Sequence, residues 1–338
     1  MFKQSRLLTT PVAAISVAVA AFAAAPAAAT SLRMASSSPP NSVWAMQTDR
    51  WVKNVDTASS GQISVDVYMN SQLGSEQDVL QQVARGRIDM AGVSTAAASA
   101  LVPEMALLDM PFLFASNKQQ DCVMDKLAGP TEALLAKKNL QFLSWTHVGE
   151  TNFIGKVPFI APESVKGLRA RAQANKANAQ MWSALGANPI PVSLTEWNSA
   201  HQTGMIDVSQ APISYYFFSG LGKIAPVMTL TKSADMAGLA VMNKQGWENL
   251  SDADRDALIK AGDMAPLTQM REEVRGFEAK VLEMHKAAGG TLAEVTPAQR
   301  DAWRAAQSAH WPDAVKALGG DSANYWQAIQ AGLDSCPQ

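Results

Sequence analysis

The sequence predicts an α/β protein of two lobes facing each other across a cleft, with long helical structure bridging them. Three observations predict it. Strand-like and helix-like segments alternate from Leu32 onward, the pattern of layered α/β proteins with a mostly parallel sheet. A short phrase occurs twice, as Gly86-Arg87-Ile88-Asp89 and as Gly204-Met205-Ile206-Asp207. Each copy closes a segment that begins with a hydroxyl residue and a glutamate, Ser75-Glu76 and Thr195-Glu196, and each leads into small or polar residues. One supersecondary unit used twice makes two similar lobes, and the cleft between such lobes binds small molecules. Finally, 338 residues suffice for two domains with sizeable cores.

The first 29 residues read as a sorting signal. Lys3 and Arg6 give a positive start, an apolar run follows from Val12 to Phe22, and Ala27-Ala28-Ala29 offers a small-x-small cleavage site. The run is alanine-rich and shorter than the roughly 20 residues of a membrane span, which favours a cleaved signal over a retained anchor. No cysteine stands near the cleavage site, so a lipid anchor is not expected. The mature chain is expected to be exported and soluble, with a formal charge of about −4 once Lys3 and Arg6 are gone. A mildly acidic chain with no basic block argues against nucleic acid as partner. Two cysteines remain, Cys122 and Cys336. In an oxidising compartment they pair as one disulfide; the alternative is two unrelated buried thiols.

The elements follow in order. Leu32–Ala35 reads as a strand, stopped by Pro39-Pro40. Asn41 or Ser42 then caps a helix through Val55, with Trp44, Trp51, Val52 and Val55 near helical spacing. Ile63–Tyr68 alternates apolar and polar residues, a strand with one face buried. Ser75 caps a helix that Gly86 ends, and Ile88–Val93 is the next strand. A helix over Thr131–Lys138 and a strand over Gln141–Trp145 lead to a crossing into the second lobe near His147–Gly149. Leu168–Ala172 is a strand whose apolar residues share one face while Arg169 and Arg171 share the other. An unpaired guanidinium under a covering helix is too costly, so the two arginines belong at opposite ends of the strand. Arg169 then lies at the entering end and Arg171 at the carboxyl end, where open α/β sheets bind ligands. A helix over Ala177–Leu185, a strand at Ile190–Val192, the second copy of the repeat and a strand over Gly238–Asn243 follow. From Asp252 to Ala288 the chain reads as long helical structure. Pro297 opens a last helical region holding Trp303, Trp311 and Trp326.

Arg171 is the leading candidate for binding, because its planar fork of donors matches a carboxylate bidentately. The competing reading is a structural ion pair. Glu76 and Glu196 stand in first helical turns, where the helix dipole favours them by about 0.3–1 kcal/mol; a general acid–base pair across the cleft is the sharper and weaker reading. Ser94, Thr95 and Gln210 follow the repeated strands and could orient a polar ligand, or serve ordinary turns. Trp145, Trp197 and Tyr215 could pave an apolar wall, or fill the core. The four histidines lack metal-ligand spacing, and no nucleophile elbow, phosphate-cradling loop or CxxC is present. No cofactor or metal is expected, and a binder is favoured over an enzyme or a sensory ligand-binding module.

At these residues the chain resembles the solute-binding proteins of tripartite ATP-independent periplasmic (TRAP) transporters, of the DctP type. The matching stretches are Gln72–Glu76, the Gly86–Asp89 phrase, Asp109–Phe114, Pro162–Arg171, Leu185–Pro189 and Gln202–Asp207. The resemblance implies a periplasmic-binding-protein fold with a long helix spanning both lobes, and a monomer that delivers an organic acid to TRAP membrane permease subunits. It implies lobe I from 30–148 and about 237–276, and lobe II from 149–236 and about 277–338, after the 1–29 signal. It puts the carboxylate clamp on Arg171, with Glu76, Ser94 and Ser36 meeting the ligand from the first lobe. The chain departs from the family pattern after the second phrase, where Val208, Gln210 and Ala211 replace Gly, an acid and Asn. A second arginine of some members falls near Thr151 and Asn152, and a stacking aromatic falls at Leu194, beside Trp197. These departures imply a less cationic, more apolar pocket suited to a monocarboxylate with an apolar or aromatic portion.

Overall fold

The alternation predicted from sequence is realised in a computed structural model, which describes residues 29–173 and 176–337. The expected signal lies outside the described residues. Lobe I begins with β1 (Thr30–Ser36), α1 (Val43–Ala58), β2 (Ile63–Tyr68), α2 (Glu76–Ala84), β3 (Met90–Ser94) and α3 (Thr95–Ala98). A 3₁₀ turn at Pro103–Asp109 leads to α4 (Asn117–Ala136). Then β4 (Leu140–Gly155) carries the chain into lobe II, which holds β5 (Arg169–Ala172), α5 (Lys176–Ala184), β6 (Asn188–Pro191), α6 (Trp197–Gln202), β7 (Val208–Pro212) and α7 (Ile213–Phe218). The strand β8 (Val227–Asn243) returns to lobe I, followed by α8 (Lys244–Asn249), α9 (Asp252–Asp263) and α10 (Leu267–Ala287). Last come β9 (Thr291–Glu294), α11 (Pro297–Ser308), α12 (Trp311–Leu318) and α13 (Ser322–Ser335). Several helices start where a hydroxyl satisfies a free amide: Ser42 accepts from Ala45 N, Ser75 from Asp78 N, and Thr296 forms a full capping box with Gln299.

The strands form one continuous sheet in the order β2-β1-β3-β8-β4-β7-β5-β6, with β9 on the first part of β8. Lobe I reads β2, β1, β3 and then antiparallel β8; lobe II reads β6, β5, β7 and then antiparallel β4. The two halves therefore follow one plan, and β4 and β8 pair along their length as the ribbon common to both.

The doubled phrase marks this symmetry residue by residue. The Asp89 carboxylate accepts the backbone N–H of Arg33 at 2.8 Å, and Asp207 accepts that of Arg169 at 2.9 Å. Both pairs immediately precede the equivalent registers Met34↔Met90 and Ala170↔Val208. Gly86 and Gly204 end the preceding helices with φ of +70° and +72°, a conformation that favours glycine. The copies differ at the helix start. Ser75 caps α2, but the N-cap position of α6 is Glu196, which makes no side-chain cap, and Thr195 does not fill that role. There the Ser193 hydroxyl donates to Glu196 Oε2 at 2.6 Å instead.

Other differences concern length and lobe membership. The strands expected over Gln141–Trp145 and Gly238–Asn243 are the lobe I ends of far longer strands. A register shift in β4 falls between His147 and Gly149, where the crossing was expected. The helical stretch from Asp252 divides at Pro266 into α9, which packs on α1, and α10, which touches α1, β4, α7 and β9 and so spans both lobes. The C-terminal stretch expected wholly in lobe II also divides. Trp303 of α11 lies in the lobe II core, whereas Tyr325 and Ile329 of α13 pack into lobe I, because α13 lies on α4. Cys336 is bonded to Cys122 of α4 there, with Cα atoms 5.8 Å apart. Phe112 runs the opposite way. It leaves lobe I with φ +58°, donates its N–H to Ser233 O, and packs with Phe153, Trp182 and Trp303 in the lobe II core.

Candidate ligand-binding site

Parallel strands end at the cleft in both lobes, so their last residues form its walls. One cavity of about 900 Å³ is lined from lobe I by Ser36, Glu76 and Ser94, and from lobe II by Arg171, Trp197, Gln210 and Tyr215.

Arg171 and Arg169 show how one strand face serves two ends. At the entering end Arg169 is exposed and chelates Asp207, with Nε–Oδ2 2.9 Å and Nη2–Oδ1 2.6 Å. At the carboxyl end the Arg171 Nε is buried with no hydrogen-bond partner, and no carboxylate among the described residues forms an ion pair with it. The guanidinium carbon lies 3.9 Å from the centroid of the Trp197 ring, which stacks in turn on Tyr215 at 5.5 Å. A cation over an indole face is attracted by the ring quadrupole, but the ring leaves the in-plane donors free. Burial pulls Arg171 down to about 10, while Tyr215 and Glu76 across the cleft act in the other sense. It therefore remains a cation at neutral pH. Burial raises Tyr215 to about 12, so its phenol stays protonated.

A buried chain holds Trp197 in place. Its Nε1 donates to Ser209 Oγ at 2.9 Å, and Ser209 Oγ lies 2.7 Å from His201 Nε2. Burial, and next the charge of Arg171, lowers His201 to about 4. A neutral imidazole shares a hydrogen bond with the Ser209 hydroxyl and adds no competing positive charge.

The lobe I wall is wired internally. Glu76 accepts from Ser37 Oγ at 2.9 Å, from Ser94 N at 3.0 Å and from Ser94 Oγ at 2.9 Å. Ser94 also caps α3 by accepting from Ala97 N, and Ser36 Oγ donates to Ser38 Oγ at 2.8 Å. Most polar capacity of this wall is spent within it, whereas the donors of Arg171 are not.

Four of the candidate residues do not reach the cavity. Thr95 is fully buried beneath the wall, where its hydroxyl contacts Asp109 Oδ1 at 2.7 Å and Ala237 O at 2.9 Å. It follows Ser94 by one residue and so turns to the opposite side. Asn152 is also fully buried; its Nδ2 donates to Glu150 and its Oδ1 accepts from Lys232 N at 2.8 Å, which ties β4 to β8. Trp145 belongs to the lobe I core, its Nε1 donating to Met124 O, because strand alternation puts it opposite Ser144 and Thr146. Glu196 is exposed and stands outside the cavity wall, so no acid–base pair with Glu76 is formed. Two polar lining residues near the clamp and the first-strand end stand beyond the expected set. Gln173 continues the alternation that places Arg169 and Arg171 on one face, and Ser37 sits inside the Ser36–Ser38 run.

The profile of the bacterial extracellular solute-binding protein family 7, DctP, matches residues 34–317. The chain belongs to this family. A relative described as a solute-binding protein, from Chromohalobacter salexigens, is 29% identical over 250 residues, covering 72% of this chain and 74% of that protein. Among solved structures, a TRAP periplasmic solute-binding protein of the same organism with bound D-glucuronate superposes with a TM-score of 0.83 at 25% identity, covering 90% of this chain and 99% of that one. A TRAP periplasmic solute-binding protein from Bordetella bronchispeptica, with density interpreted as pantoate, gives a TM-score of 0.82 at 28% identity, again covering 90% and 99%. Family 7 membership agrees with the resemblance seen in the motifs, and the matched folds are two-lobed like this one.

Proposed function

We propose that this family 7 protein captures a small organic carboxylate between its lobes and delivers it to the membrane permease of a TRAP transporter. The observation that carries the reading is Arg171, a half-buried cation with which no carboxylate among the described residues forms an ion pair, held on Trp197 with its donors unspent. Such a group is costly alone and is stabilised by a bidentate anion. D-glucuronate and pantoate, the molecules assigned in two related structures, both carry a carboxylate.

Ligand reaching the open cleft pairs with Arg171 on lobe II. Contacts to the Ser36, Glu76 and Ser94 wall of lobe I then favour the closed form, since only differential affinity for the two forms shifts their balance. The closed form presents the surface that the permease recognises in the periplasm. A thermal-shift screen of organic acids, followed by calorimetry on wild type and Arg171→Ala, tests the reading. The variant is expected to bind at least tenfold more weakly, because the ligand carboxylate loses its partner in a desolvated cleft. Equal affinity for the two proteins overturns it.

A further inference from the structure

The cleft does not end at Arg171. The same cavity continues into lobe I, between the sheet and the helices α1, α9 and α10. Its floor is the β4–β8 ribbon. Ser144, Thr146 and Val148 line it from β4, and Met236 and Ala240 from β8. These residues are partly exposed, although Trp145, His147, Leu239 and Val241 between or beside them are buried. Partial exposure on central strands beneath a helix layer marks space between the layers that side chains do not fill.

The residue types keep it open. Gly92, Ser144 and Ala240 on the sheet side, and Gly262 on the helix side, are small where a packed core would carry large side chains. The walls around them are apolar: Trp44, Trp51, Trp247, Leu143, Leu258 and Met270. Two polar side chains of α1 are turned to other partners, and the floor keeps the hydroxyls of Ser144 and Thr146. Trp44 Nε1 donates to His147 O at 3.0 Å, and Gln47 Nε2 lies 3.0 Å from Met270 O and 3.2 Å from Glu273 Oε2. Leaving such a space without side chains gives up the packing contacts that a filled core would make. A sugar acid, with hydroxyls around its ring, would desolvate most of them against indole and methionine, with only Ser144 and Thr146 on the floor to receive them.

We propose that this gallery is a tail subsite, and that the ligand is a monocarboxylate whose apolar tail runs from Arg171 into lobe I. The proposal rests on the carboxylate reading of Arg171 and adds the chemistry of the remainder of the ligand. At about 30 Å³ per water, the whole cavity has room for roughly thirty waters, enough for a head group and an extended tail.

Calorimetry with straight-chain saturated monocarboxylates, from acetate to decanoate and below their micelle concentrations, tests it. Affinity is expected to rise up to about fourfold per methylene through the middle of the series, the equivalent of about 0.8 kcal/mol per buried CH₂. D-glucuronate should bind no better than the short acids. Ala240→Leu should remove the gain for long acids and leave the short ones within about twofold. Gly262→Leu is the second variant should the first not fold, because a Cβ at Gly262 meets nothing within 4 Å. Affinity independent of chain length, or a gain that survives a folded gallery-filling variant, overturns the tail subsite. Failure of the underlying reading looks different: no carboxylate of any length binds, or Arg171→Ala leaves every affinity unchanged.

Discussion

Glu278 occupies the space where a side chain on Gly149 would stand: a Cβ there would come 2.1 Å from Glu278 Oε1. Gly149 also has φ +123° and stands at the register shift where β4 crosses between lobes. The same Oε1 accepts the backbone N–H of Glu150 at 2.9 Å, so α10 grips the ribbon at its crossing point. Burial pushes the Glu278 carboxyl well above its usual range. Gly149→Ala is therefore expected to destabilise the fold by about 2–4 kcal/mol, from backbone strain and overpacking together. A urea titration checks this, and an unchanged midpoint counts against the close fit.

Ser209→Ala removes the group shared by Trp197 and His201. A buried donor left without a partner costs about 1–3 kcal/mol. Because Trp197 carries the Arg171 guanidinium, ligand affinity should fall severalfold although Arg171 itself is intact. Calorimetry with the best acid from the screen measures it; wild-type affinity would show that the chain does not position the clamp.

Asp109 should reveal itself through pH. Burial raises its carboxyl to about 7, even though Thr95 donates to it, and its Oδ2 has no partner. A carboxyl raised in the folded state supplies stability that is present at low pH and lost as pH rises through about 7. His147 and His201, lowered by burial to about 3 and about 4, act in the opposite sense as pH falls below about 6.5. The wild-type curve is thus a balance, and a paired comparison isolates Asp109. Asp109→Asn, which still accepts from Thr95, should gain in melting temperature relative to wild type by a few degrees between pH 5 and pH 8. A difference that does not vary with pH refutes the assignment.

The Cys122–Cys336 bond closes a span of 214 residues and ties α13 to α4. Replacing both cysteines with serine should cost about 2–4 kcal/mol. The last helix should also become the first target of limited proteolysis, which mass spectrometry of the early fragments would reveal.

Much of lobe I was legible because local signals agreed there. Ser42, Ser75 and Gly86 sit where caps and a helix stop belong, and Ile63–Tyr68 alternates cleanly. The placing of Arg169 and Arg171 at opposite strand ends followed from the cost of burying charge. Long-range pairing hid the rest. The lobe II halves of β4 and β8 lack a clean alternation because both faces are covered, so periodicity could not trace them. Thr95 and Asn152 show a similar limit. Their polarity is visible in sequence, but whether it meets a ligand or another part of the chain depends on neighbours distant in sequence: Asp109 and Ala237 for one, Lys232 for the other.

The lobes share the β4–β8 ribbon, Phe112 from lobe I is seated in the lobe II core, and α11–α13 lead from lobe II back to a bond on α4. No single cut therefore divides this molecule. A nick in one surface loop leaves both halves joined by the remaining crossings, and a half produced alone would expose apolar surface that its counterpart normally covers. The two lobes meet along a seam that cannot be opened by cutting the chain once, a useful property in a family whose members work in the periplasm, where proteases act and chaperones are few.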